Sequence, residues 1–496
     1  MRKNLVTSFF CGLLLGWFPI FSQDSTSFRV ISTSLESNIG FASQSTPFWF
    51  RVNQYATVPN KLPILSVRAA RQATQSFKKN ANWRWAYGAE AVVNAGAESN
   101  MVLPEIYTAL RYKVWELYVG RRKETFGLCD STLGTGSYAW SGNALPMPKL
   151  VLQIPQYTPV PYTKGWLVFK GHYAHSWFGE NQYVSHHFLH QKTLHLRLGK
   201  AKSRFKWHGG FTHQVQWGGI ANYDASSVAN GNKFPSNLRA YGYVVTGLGG
   251  VVGQVKGFNA FDSTNRVGNH LGTIDMGVEI DLKRSRLFIY RQNIFEDGSL
   301  YYLNSISDGL HGISFTNLFA KREKGKLSIQ KVLFEFLNTR SQGGREFNTK
   351  PGGKLGNDNY FNHQQFRDGW TYQGRIIGTP FITNRFDTKK KFQENGLYNG
   401  FESANNNRVR VYHVGVQGYF GEDVEFLSKI SYSQNYGTYG HPYLSEPRQY
   451  SGLVQVMGKL PYLGGLQWTA AAAWDYGGLY EDSFGLQIGV RKNWRK

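Results

Sequence analysis

Thr273–Leu282 reads TIDMGVEIDL. Ile274, Met276, Val278, Ile280 and Leu282 take one set of alternate positions; Thr273, Asp275, Gly277, Glu279 and Asp281 take the other. A period of two belongs to a strand, whose successive side chains leave opposite faces of a pleated backbone. One face of this strand suits an apolar medium and the other suits water.

The same period recurs along the chain. Trp83, Trp85, Tyr87, Ala89, Ala91 and Val93 alternate with Arg84, Gly88 and Glu90. Leu194, Leu196 and Leu198 alternate with His195 and Arg197. In Phe205–Trp217 the apolar-rich set starts at Phe205 and the polar set at Lys206. Leu466–Tyr476 and Phe484–Arg491 repeat the pattern.

A soluble sandwich alternates in this way too. Two features favour a membrane barrel. Aromatics gather near strand ends, as in Trp83/Trp85, Trp207/Trp217 and Trp468/Trp474, where an interfacial girdle sits. The polar face mixes Arg, Lys, Asp and Glu with Gly, which suits a wet lumen. With 34 Phe, 29 Tyr, 14 Trp and 55 Gly in 496 residues, the composition fits a large antiparallel sheet. A mean hydropathy of −0.40 is no obstacle, because only alternate residues of a barrel strand face lipid.

Connections fall into two classes. Lys113-Val114 is a short turn, and Gly209-Gly210 reads as a bend. Asp130–Thr163, Ala221–Asn237, Ser341–Asn407 and Tyr436–Gln449 read as long loops. Short turns on one side and long loops on the other are the outer-membrane arrangement. The expected fold is therefore all-β: a single transmembrane antiparallel barrel of about 18 strands with long extracellular loops, at ~10 residues per strand.

The N-terminus sets the compartment. Arg2 and Lys3 precede an apolar run, Leu5 to Phe21, broken by Pro19 and followed by Ser22-Gln23-Asp24. This is a signal peptide over residues 1–23, leaving 24–496 as the barrel, with 24–63 partly a periplasmic extension. Cys11 leaves with that peptide, and Cys129 remains alone, which excludes a disulfide-stapled module. A net charge of +24 suggests a polyanionic partner. For an exported chain that means acidic polysaccharide or lipopolysaccharide phosphate, and not nucleic acid.

Gly134, Gly136 and Ala139 fit a loose dinucleotide fingerprint. Such a loop needs a strand before it and a helix after it. Here Pro146, Pro148, Pro155, Pro159 and Pro161 follow and forbid a helix. The expected structure of Gly134–Pro148 is a loop against the barrel interior, with Ser141 and Asn143 bonding backbone groups.

Gly120-Arg121-Arg122, Gly134-Thr-Gly-Ser, Ser141-Gly-Asn143-Ala144-Leu-Pro146-Met-Pro148 and His190-Gln-Lys192-Thr-Leu194 resemble the signature of the capsule-assembly Wzi family of outer-membrane barrels. Glu296-Asp297-Gly298-Ser299, Asp308-Gly309-Leu310-His-Gly312, Gly369-Trp370-Thr-Tyr372-Gln-Gly374 and Ile377-Gly378-Thr379-Pro380-Phe381 are similar to further motifs of its Bacteroidetes-type members. The N-terminal region carries no match to the helical bundle of the enterobacterial type. The resemblance implies a lectin-like protein that holds capsular polysaccharide at the cell surface, does not export it, performs no catalysis and has loops occluding the lumen.

For sugar binding, aromatic faces stack on pyranose rings and Arg or Lys pairs with uronate carboxylates. The candidates are Arg121, Arg122, Trp140, Asn143, Lys149, Trp370, Tyr372 and Arg375. The bland alternatives are packed loop aromatics and lumenal ion pairs. The partners expected are acidic capsular or extracellular polysaccharide, outer-membrane lipid and lipopolysaccharide, and the barrel-assembly machinery. No cofactor is expected.

The chain lacks Gly-x-Ser-x-Gly and His-Glu-x-x-His motifs. His172, His175, His186, His187, His190 and His195 form the best metal candidate, read against rim and lumenal histidines. Glu296/Asp297 and Asp262 are the acids a glycosidase would need, while Asp308 shapes its turn with Gly309. A diffusion porin and an outer-membrane lipid- or polysaccharide-modifying enzyme remain the alternatives.

Overall fold

The structure is a computed structural model that describes residues 29–77, 82–229, 231–248, 266–296, 304–346, 356–393 and 402–496. Residues 1–23, Asp262 and Asp297 lie outside the described residues.

Eighteen antiparallel strands close on themselves. They are β1 Arg29–Ala42, β2 Ile64–Ser76, β3 Trp83–Gly96, β4 Asn100–Tyr112, β5 Trp115–Arg121 and β6 Lys149–Pro159. Next come β7 Leu167–Trp177, β8 Phe188–Leu198, β9 Phe205–Trp217, β10 Asn269–Asp281, β11 Ser285–Glu296 and β12 Gly309–Asn317. The last six are β13 Leu327–Asn338, β14 Val409–Phe420, β15 Val424–Asn435, β16 Arg448–Leu460, β17 Leu466–Gly477 and β18 Ser483–Arg495. Each strand pairs with its neighbours in sequence, and β1 closes the barrel against β18 from Ser32↔Arg495 to Ala42↔Gly485.

The alternation sorts the two faces as read. Met276 is 55% exposed on the outer face, and Asp275 beside it is 1% exposed on the inner face. Leu194, Leu196 and Leu198 are exposed around a buried His195, and Phe205 and Trp207 flank a buried Lys206. Trp83, Tyr112, Trp115, Trp166 and Trp494 ring the short-turn end on the outside; Trp177, Tyr450, Tyr476 and Phe484 ring the other.

Successive connections fall at opposite ends of the barrel, and the longest ones all lie at one end. One end carries brief links such as 282–284 and 421–423, and the other carries 43–63, 122–148, 218–268 and 339–408. Residues 29–63 are therefore not a periplasmic extension. They form the first wall strand and a segment inside the lumen, where Phe48, Trp49 and Phe50 of a short helix, α1 Phe48–Arg51, are buried.

Three further expectations are corrected. Lys149–Pro159 is strand, not loop, because Pro155 falls in a register shift between Ile154 and Thr158, where no ladder N–H is required. Gly209-Gly210 is no bend; the ladders to both neighbours run through it. Trp217 is no girdle residue. A helix, α2 Leu238–Thr246, lies on the outer wall and covers Val215 and Trp217 with Ala240 and Val244. Its ends explain its placement. The Asn237 side chain accepts from Ala240 N at the start, and Gly247, at φ 65°, turns the chain at the end. Lys192 Nζ, on the outer face of β8, donates to the helical Val245 carbonyl.

Candidate functional site

The lumen holds a plug. One continuous cluster of buried side chains runs from wall residues Leu189, Leu271 and Tyr290 through 128–147 and 360–382 to Leu453 and Ala473 on other strands. Phe48 meets Phe381 at 4.8 Å and Tyr138 meets Phe361 at 5.0 Å between ring centroids. The wall makes room with glycine: a Cβ on Gly415 of β14 would lie 2.7 Å from the Leu133 Cβ of the plug.

The eight residues expected to meet sugar belong to this plug or its anchorage. Trp370 is fully buried, packs edge-on to Trp140 at 6.4 Å and donates from Nε1 to the Ala139 carbonyl at 2.9 Å. Asn143 Nδ2 donates to the Ile376 carbonyl at 2.9 Å, and Ser141 Oγ to the Gly378 carbonyl at 2.6 Å. The Gly134–Pro148 loop is thus tied to the 376–378 segment, as its polar residues led us to expect.

Lys149 is buried under the Trp140 ring, 4.0 Å from its centroid, and donates to Glu124 at 3.2 Å and Gln191 at 2.7 Å. Arg122 pairs with Glu116 at 2.7 Å and Glu124 at 3.7 Å. Arg121 donates to the Tyr372 hydroxyl at 3.3 Å, and Arg375 to the Val58 carbonyl at 2.8 Å. Trp140, Asn143, Lys149, Trp370 and Tyr372 offer no face to an external glycan, since each is buried. Burial raises the Glu124 carboxyl, but Lys149, His172 and Arg122 outweigh it and hold the group below its ordinary range. Burial, with Arg51 nearby, lowers the Arg375 guanidinium to about 10.

The remaining motifs also serve the plug or the rim. Glu296 accepts from the Tyr138 hydroxyl at 2.7 Å and from Phe361 N at 3.2 Å. Asp308 does more than shape a turn with Gly309. It accepts from Ser341 N at 2.9 Å, Gln342 N at 2.7 Å and the Tyr360 hydroxyl at 3.0 Å, pinning the largest loop at its root. His172 and His195 face inward, while His175 and His190 face outward beside Tyr241 of α2. Among the described residues no group of three or more His, Cys, Asp or Glu is placed to hold a metal ion.

Sequence reasoning missed a cluster at the long-loop end. The ladders continue past the strands there: Thr339 N donates to the Val409 carbonyl at 3.0 Å, and Tyr436 N to the Arg408 carbonyl at 3.0 Å. This alignment brings together Arg340, Arg408, Tyr436 and Tyr439. The Arg340 guanidinium lies 4.0 Å from the Tyr436 ring centroid, and that of Arg408 lies 3.9 Å from Tyr439. Arg408 Nε donates to the Arg340 carbonyl at 3.1 Å, and the Tyr439 hydroxyl to the Ser341 carbonyl at 3.0 Å.

Both arginines are half-buried, and among the described residues neither has a carboxylate at ion-pair distance. Burial lowers the Arg408 pKa and the neighbouring Arg340 adds to that effect, against the opposing pull of Tyr439 and the Asp308 carboxylate. A planar guanidinium held on an aromatic face and not engaged in an ion pair is suited to bidentate capture of a carboxylate. No local motif signals this cluster, because Arg340 and Tyr436 lie 96 positions apart and meet only through the sheet.

A sequence model of the family described as "Capsule assembly protein Wzi" matches residues 66–388. No curated protein matches the chain. Among solved structures, Wzi of Escherichia coli is described as an outer-membrane protein involved in group 1 capsule assembly and a carbohydrate-binding β-barrel. It aligns over 93% of this chain and 84% of its own, at 12% identity and a TM-score of 0.57. Pseudomonas aeruginosa OccK3 (OpdO) aligns over 94% and 96% at 9% identity and a TM-score of 0.45. An anion-selective porin from Comamonas acidovorans aligns over 94% and 100% at 8% identity and a TM-score of 0.40. The first likeness shows a shared fold, and the latter two carry no argument. The closed barrel and its outward apolar belt place the protein in the outer membrane, long loops facing out.

Proposed function

Because the chain belongs to the Wzi family of capsule assembly proteins, we propose that it holds acidic capsular polysaccharide at the outer face of the cell and performs no catalysis. The observation that carries this reading is the pair of tyrosine-backed guanidiniums at the extracellular rim, Arg340 on Tyr436 and Arg408 on Tyr439, neither in an ion pair among the described residues. They would seat uronate carboxylates. The eight residues expected to meet sugar act in this reading from below, fixing the plug that carries the loops.

The wall-to-wall core favours surface retention over diffusion through the lumen. Removal of residues 1–23 on export and insertion by the barrel-assembly machinery belong to the same reading. Each sugar–arginine pairing would be weak, but a repeating polymer gains avidity from many of them. Binding should weaken as salt rises, since exposed charges are screened within ~8 Å at physiological ionic strength.

The test is capsule retention in a deletion strain complemented with wild-type or R340Q/R408Q protein. Wild type should restore surface capsule, and the double variant should shed it to the medium while reaching the membrane at normal levels. Retention by the variant equal to wild type would move the site elsewhere. Full capsule in the uncomplemented deletion strain would remove the function itself.

A further inference from the structure

The outer wall carries a hollow that the polysaccharide reading does not use. It has a volume of about 380 Å³ and lies across β10–β13, with Met276, Val278, Ile289, Ile313 and Phe334 as its apolar lining. The register explains its shape. Val278, Ile289, Ile313 and Phe334 form one row across the four strands, and Met276, Arg291 and His311 form the row above. Between the two rows only the backbone of Gly277, Tyr290 and Gly312 floors the hollow.

The upper edge is cationic. Arg291 shares the outer face with the exposed Met276 and Ile289. It donates from Nη2 to the Ile306 carbonyl of the loop above. Its Nε is buried and has no hydrogen-bond partner, and among the described residues no carboxylate pairs with it. A guanidinium on a lipid-facing wall is costly unless an anion compensates it. The medium against this face is the outer leaflet, and among the described residues no carboxylate supplies the compensating anion, so a lipid is the source the geometry favours.

We propose that this hollow is a seat for the lipid A part of lipopolysaccharide, with an acyl chain along the Val278–Phe334 row and a phosphate on Arg291, flanked by His311. Arginine's fork matches phosphate geometry, and its reach toward Ile306 sets the phosphate at the level where the extracellular loops begin. The seat would place the lipopolysaccharide core sugars beside the loops that carry the proposed capsule site. It does not depend on that proposal.

The test uses the full-length protein purified in mild detergent, stripped of lipid, and titrated with lipid A under native mass spectrometry. Wild type should carry bound lipid A, and R291Q should lower the bound fraction at least fivefold. R291K should recover most of it, and I313W, which fills the hollow with Arg291 intact, should lower it as R291Q does. Heat-modifiable mobility checks that each barrel is closed; if R291Q fails that check, I313W decides. Unchanged binding in a closed R291Q or I313W barrel would overturn the seat. Phosphatidylglycerol bound as well as lipid A would overturn the choice of lipid.

Discussion

The wall and the plug use the same residue types in opposite ways. On the wall, Trp207 is 59% exposed and Met276 55%, because their solvent is lipid. In the plug, Trp370 and Tyr138 are fully buried, because theirs is protein. The wall's core is the membrane itself, while the plug needs a packed interior inside the barrel. A side chain cut back on the wall is replaced by an acyl chain or detergent, whereas one cut back in the plug leaves a cavity.

That contrast should appear first in matched truncations. Trp370→Ala should cost about 3–5 kcal/mol of thermal or denaturant stability in detergent, from lost burial and an unfilled cavity. Trp207→Ala should cost under about 1 kcal/mol, as a surface change does. Equal losses at the two sites, measured on refolded protein, would erase the distinction.

A charge, unlike a truncation, should make the wall costly. Met276→Arg places a cation on the lipid face and should destabilise the barrel in bilayers by about 2–4 kcal/mol. Its cost should shrink in short-chain detergent. A penalty equal in both media would show that Met276 does not face lipid.

Backbone geometry offers a smaller test. Gly142 adopts φ 87°, and a Cβ there would come within 2.9 Å of the Tyr55 ring. Gly142→Ala should lower stability by about 1–3 kcal/mol through strain confined to the plug. Urea midpoints of folded wild type and variant would measure it, and an unchanged midpoint would refute the packed loop.

The smallest effect concerns pH. Glu124 is held below its ordinary value of 4.5, with burial opposing and Lys149 leading the attractions. A depressed carboxyl adds stability that is present above 4.5 and fades as pH falls through the lowered value. The thermal midpoint of wild type should therefore drop in acid more steeply than that of Glu124→Gln. Parallel curves would show that the plug's ion pairs do not bear on stability.

The wall was legible in the sequence because its code is local. Thr273–Leu282 declares both faces within ten residues, and the eighteen-strand count followed from length. The plug is written over long range. Asn143 finds Ile376, and Glu335 takes its bond from Thr135 N at 2.6 Å, across 233 and 200 positions. Such pairs leave no period. The motif residues Ser141 and Asn143 could be read as backbone-bonding, but the aromatics Trp140 and Trp370 looked like sugar platforms because sequence does not show which side of a loop is covered. Helix α2 was hidden for a related reason: its apolar face is matched to a wall that already reads as lipid-facing.

The loops fill the lumen and leave the extracellular rim to work. Conductance in planar bilayers tests this most directly, using wild type beside a variant lacking 356–393. Wild type should show no steady conductance, and the deletion should show open-channel currents. A stable, steady conductance from the intact protein would contradict the filled lumen.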